Sequence, residues 1–147
     1  KLSIKVVADS QKTASPDIDL FHLLPRNLND WHGVELRRLT SNMVLLKLVS
    51  NKINNLTVLI TVVGLHNASE AKAFFSKPVQ ATYYKVAGQP LSLIAYQDTV
   101  TAWWQMSRFA FELQASGSNY NDLKQAILSL AAAIITNAEN VPFQEQR

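Results

Sequence analysis

Asp17, Asp19, His22, Asp30 and His32 fall within sixteen residues of one another, and carboxylates with imidazoles form the ligand set that suits zinc or manganese. Their spacing has no paired-ligand pattern of the HExxH kind, and each acid has an ordinary place at a turn or a helix start. No metal is therefore expected. His66 follows a strand-like run without a GxSxG elbow nearby, and the serines sit in turns, so a nucleophile and base pair is not indicated either. The four glycines form no phosphate-cradling loop. Cysteine is absent, which removes disulfides, thiolate metal sites and a cysteine nucleophile. Glu35 and Glu112 are the acids inside strand-like runs, and both occupy polar positions of an alternating pattern. The expected chemistry is recognition without catalysis and without a cofactor.

Aromatic residues carry the information that remains. Trp103 and Trp104 are neighbours on a strand-like segment and must point to opposite faces. The register of Val100 and Ala102 puts Trp104 in the core and Trp103 on the other face with Thr101. There it either meets a partner or is covered by a second layer such as the segment from Asp17 to Trp31. Tyr83, Tyr84 and Tyr96 extend the same surface, and Arg108 rims it from a hairpin turn. Trp103, Arg108 and Tyr96 are the expected partner contacts.

The elements that must position these side chains run from Val100 to Ile135. In VTAWWQ, Val100, Ala102 and Trp104 alternate with Thr101, Trp103 and Gln105. In RFAFELQ, Phe109, Phe111 and Leu113 alternate with Ala110, Glu112 and Gln114. This is the pattern of a half-buried hairpin. After the polar loop ASGSN the period becomes helical: Leu123, Ala126, Ile127, Leu130 and Ile134 fall at i, i+3, i+4, i+7 and i+11, one stripe on one face. A sheet with an apolar face is followed directly by a helix, near residues 120–136, able to cover it.

Upstream, residues 2–8 read as a first strand and 17–24 as a short helix, and 27–33 as a loop anchored by Trp31. A meander follows over 34–39, 43–50 and 56–64, joined by short polar turns that imply antiparallel neighbours. Its middle strands are apolar on both faces, which predicts cover on both sides or strong curvature. Asn67 and Glu70 have capping-box spacing before a helical turn or two, with Ala71, Phe74 and Phe75 as an apolar patch and Pro78 as its stop. Residues 81–86 and 91–96 flank a turn over Ala87–Pro90. The expected fold is α+β: a single antiparallel sheet of about seven strands with a long C-terminal helix packed on one face. A polar tail is expected over 137–147.

A chain of 147 residues fits one domain, since domains commonly run ~100–200 residues. With 48% hydrophobic and 17% charged residues it has the composition of a folded domain, not of a disordered one. The formal charge is +3 and the basic residues are scattered, Arg37-Arg38 being the one adjacent pair, so no nucleic-acid partner is expected. No apolar run approaches the ~18 residues that span a bilayer. From the start at Lys1 the expectation is a processed chain or a piece of a longer protein.

Val100, Trp104, Phe109, Phe111 and Leu113, followed by Leu123, Ala126, Ile127 and Leu130, resemble the closing hairpin and helix of the extracytoplasmic domains of bacterial membrane-bound anti-sigma factors and related envelope sensor proteins. The likeness covers about the last third of the chain. In place of the glycine often seen in that hairpin turn stand Met106, Ser107 and Arg108. The resemblance implies a non-enzymatic sensor or regulatory domain, periplasmic or extracytoplasmic, that works on a protein partner. The order of elements also looks like the helix-grip fold of small-ligand carriers, which implies a hydrophobic ligand in a cavity between sheet and helix.

Overall fold

The computed structural model describes residues 6–8, 20–75 and 77–139. Among them, β1 (Val6–Ala8), β2 (Trp31–Thr40), β3 (Met43–Ser50), β4 (Thr57–Gly64), β5 (Thr82–Val86), β6 (Gln89–Tyr96), β7 (Thr99–Met106) and β8 (Phe109–Ser116) form one sheet in the order β1-β2-β3-β4-β8-β7-β6-β5. Seven strands, β2 to β8, are antiparallel as expected. The short β1 lies parallel to β2, with Val6 opposite Leu36. The remainder of the first expected strand lies outside the described residues. Two meanders, β2–β4 and β5–β8, meet at the centre, where β4 and β8 pair from Thr57↔Ser116 to Gly64↔Phe109.

Alternation along each strand gives the sheet one sealed face. Leu46, Ile60, Leu113, Ala102 and Leu93 form one cross-strand row, all buried, and Val44, Val62, Phe111 and Trp104 form the next. The C-terminal helix that covers this face is preceded by a polar link whose Asn119 Oδ1 accepts from the Asp122 N–H at 2.8 Å, satisfying one of the donors a helix start leaves open. Asp122 Oδ2 in turn accepts from Ser118 and Asn119. From there α2 runs over Tyr120–Glu139 and buries Leu123, Ile127, Leu130 and Ile134, each worth about 1.5–3 kcal/mol of apolar burial.

The helix continues beyond Ile135: Ala138 is fully buried and Asn137 Nδ2 donates to the His22 carbonyl at 3.2 Å. Residues 137–139 thus belong to the helix and not to the expected tail, and 140–147 lie outside the described residues. The early helical segment is a single 3-10 turn, Leu20–Leu23. With Leu24, Leu28 and Trp31 it joins the same core as α2. It covers the β3 and β4 side of that face, and so does not provide the second layer over Trp103. Trp31 begins β2 and does not sit in a loop.

The second helix lies on the opposite, outer face. α1 (Ala68–Phe74) is capped by Asn67 Oδ1, which accepts from the Glu70 N–H at 2.8 Å. The Glu70 carboxylate accepts from the His66 N–H at 3.2 Å, so the return half of the expected capping box falls one residue earlier. Ala71 and Phe75 pack on Val63 and Ala110. Elsewhere the outer face is only half covered: Leu45 and Leu59 are partly exposed, and their apolar character reflects this intermediate burial.

Candidate functional site

Trp103 sits on the outer face of β7, opposite Glu112 of β8 and Ser92 of β6. Its Nε1 donates to Glu112 Oε2 at 2.8 Å, and only 8% of its surface is exposed. Trp104 points to the sealed face, where it stacks on its cross-strand neighbour Phe111 with ring centres 4.9 Å apart. The faces of both tryptophans are those their alternation predicts. Trp103 is nevertheless covered, and the cover is on the α1 side of the sheet.

Pairing of β6 with β7 ends at Ser92↔Trp103. Beyond it comes Pro90, which has no N–H to give to a ladder. The Gln89 side chain bridges the opening instead, its Nε2 donating to the Gln105 carbonyl at 2.9 Å. The turn before it is Ala87-Gly88 alone, with φ of 50° and 83°, a two-residue hairpin with both centres left-handed. Gln89 and Pro90 therefore belong to β6 and not to the expected four-residue turn. The opening and the end of α1 together bound a cleft of about 350 Å³, with Lys72, Phe75, Lys77, Tyr83, Ser92 and Trp103 on its walls. Leu91 and Trp104 also border it. Trp104 Nε1 is buried with no hydrogen-bond partner among the described residues. Lys77 Nζ donates to the Lys72 and Phe75 carbonyls, both at 3.2 Å, which fixes its ammonium at the C-terminal end of α1.

Tyr96 lies on the same outer face, paired with Thr99 at the other end of β7. It is 70% exposed and borders a second open cleft, of about 770 Å³, with Pro78, Gln80, Thr82 and Tyr120. Arg108 is built into the fold. Its Nη1 donates to the Leu65 carbonyl at 3.0 Å, its own carbonyl accepts from the Leu65 N–H at 2.8 Å, and its guanidinium lies 4.6 Å from the Phe109 ring centre. Trp103, Arg108 and Tyr96 are thus strung along β7 and do not converge: Arg108 and Tyr96 flank opposite ends of an eight-residue strand, about 20–25 Å apart at the usual rise per residue. Tyr83 shares the outer face and is 72% exposed. Tyr84 faces α2, where Lys124 Nζ lies 5.0 Å from its ring centre. The interaction with Tyr84 raises the Lys124 pKa.

Of the acids and histidines with metal-ligand chemistry, His22, Asp30 and His32 are exposed, and Asp30 lies 3.7 Å from Lys52. Asp17 and Asp19 fall outside the described residues. No group of three or more potential ligands occurs among the described residues. Sequence reasoning missed Lys72, Lys77 and Ser92. The capping spacing at Asn67 and Glu70 located α1, but which face it would cover depends on the path of the chain after β4.

No helix among the described residues is long and apolar enough to cross a membrane. No protein-family model matches the chain, and no significant match was found among curated proteins or solved structures.

Proposed function

We propose that this chain is a non-enzymatic binding module whose working surface is the outer face of the sheet around β5–β7. The observation that carries this reading is the unequal treatment of the two faces. One is covered by α2 and the 20–31 segment over β3, β4, β7 and β8. The other keeps Tyr83, on the wall of the Trp103 cleft, and Tyr96, further along β6, largely exposed, and exposed aromatics on a sheet are the anchors that interfaces favour. The setting proposed is extracytoplasmic, as a sensor or interaction domain of a bacterial envelope protein, with the likeness of the closing hairpin and helix in support. The alternative of a helix-grip carrier is less favoured, because Trp104, Phe111, Leu113, Ile127 and Ile134 fill the space between sheet and helix.

A photo-crosslinking residue placed at Tyr96 tests the reading when the chain is produced in its organism of origin. A discrete adduct is expected from that position and none from Ser129, which is exposed on α2 away from the outer face. Equal labelling from both positions, or none from Tyr96, would count against the outer face as the working surface.

A further inference from the structure

We infer that the cleft beside Trp103 is a site for a small anionic ligand with a flat apolar body, in the chemical class of an aromatic carboxylate. The inference rests on the reading of the outer face as the working surface and names what that face holds. Charge comes first. Lys72 and Lys77 line the cleft, and Lys85 lies directly opposite Pro90, another of its lining residues. No aspartate or glutamate is among the described lining residues, and the neighbouring Glu112 is engaged by Trp103 Nε1. Lysine ammonium ions outnumber the one neighbouring carboxylate, Glu112, around this partly enclosed space, and such an excess attracts an anion. The Lys77 ammonium is already held by the Lys72 and Phe75 carbonyls, which reduces the ordering cost when it meets a negative charge.

Shape and wall chemistry define the rest of the ligand. Phe75 and Tyr83 offer aromatic surface beside the largely buried Trp103, and Ser92 is the buried polar residue on the wall. Apolar walls with a few placed polar groups characterise small-molecule sites. A volume of about 350 Å³ is at the small end of the range for such sites, about 300–1,000 Å³, and suits one or two fused rings. The cleft lies where the pairing of β6 with β7 stops short of Pro90 and the end of α1 covers one side.

The test uses 2-naphthoate and its neutral counterpart 2-naphthamide as probes, with affinity from calorimetry and the Trp103 indole N–H cross-peak as the site marker. The carboxylate should bind and shift that peak, and the amide should bind about tenfold more weakly, the worth of one charge-assisted hydrogen bond. Lys72→Gln, at an exposed position, should weaken naphthoate by a similar factor and leave the amide unchanged. Tyr83→Ala should weaken both probes, and Lys52→Gln, remote from the cleft, neither. Equal affinity for acid and amide, no response to Lys72→Gln, or no binding at the solubility limit of naphthoate would each overturn the inference. Those results leave the crosslinking outcome at Tyr96 untouched, so failure of the ligand assignment is distinct from failure of the binding-module reading.

Discussion

Trp103 and Trp104 differ by one position and by nearly everything that decides what a side chain does. Trp104 is buried against Phe111, and Trp104→Ala should cost about 3–5 kcal/mol, the usual range for truncating a core aromatic. Trp103 combines a covered ring with a hydrogen bond to Glu112. Trp103→Phe keeps an aromatic ring but removes the donor and part of the buried indole, so it should cost about 1–3 kcal/mol, and Trp103→Ala more. Urea denaturation of the three variants checks the order. If Trp103→Ala cost less than about 0.5 kcal/mol, as at an open surface position, the burial described for it would be wrong. Alternation alone assigns the two faces correctly, because period two is a property of the strand itself. It is silent about cover, which depends on α1 arriving from a distant part of the chain. Arg108 shows the same limit: its place in a turn suggests a solvated charge, while the carbonyl of Leu65 that binds it is 43 residues away in sequence.

Strand and helix positions were legible because local chemistry marks them. The β3 span, 43–50, is read directly from its turns and its apolar run, and the α2 stripe from its spacing. Turn geometry was less legible, since it depends on backbone angles that several residue types can adopt at a cost. Ser107, in the turn between β7 and β8, has φ of 55°, in the region that non-glycine residues enter at about 1–2 kcal/mol. Ser107→Gly should therefore raise stability by about 0.5–1 kcal/mol after the added chain entropy of glycine is counted. An unchanged or lower thermal midpoint would contradict that. Gly117, between β8 and α2, has the opposite requirement. Its φ is 95°, and an added Cβ would stand 1.8 Å from the Asn55 carbonyl oxygen. Gly117→Ala should cost about 3 kcal/mol or more, combining backbone strain with displacement of the β3–β4 link. Alanine tolerated there without loss would mean that the two loops are not in this close approach.

At the scale of the whole molecule the question is whether two meanders make one cooperative unit. Each half has its own cover: the 20–31 segment lies on β3 and β4, and α2 packs on β7 and β8. That division would allow separate melting. Against it stands the central β4–β8 ladder of eight residue pairs, whose rupture would expose two long apolar strand edges at once. One core cluster also contains Trp31 and Leu46 from the first half with Trp104 and Ile127 from the second, and Asn137 ties the end of α2 to the 20–23 turn. These links predict two-state unfolding, measurable through the position of the tryptophans. A Trp103→Phe, Trp104→Phe chain reports from Trp31 in the first half, and a Trp31→Phe, Trp103→Phe chain reports from Trp104 in the second. In each, the urea midpoint by fluorescence should coincide with the midpoint by far-ultraviolet circular dichroism of the same chain. Comparison within a single variant removes the stability changes that the substitutions themselves cause. A separation above about 0.3 M urea in either variant would mean that the halves melt independently and that the β4–β8 seam, not the shared core, is the weak joint of the fold.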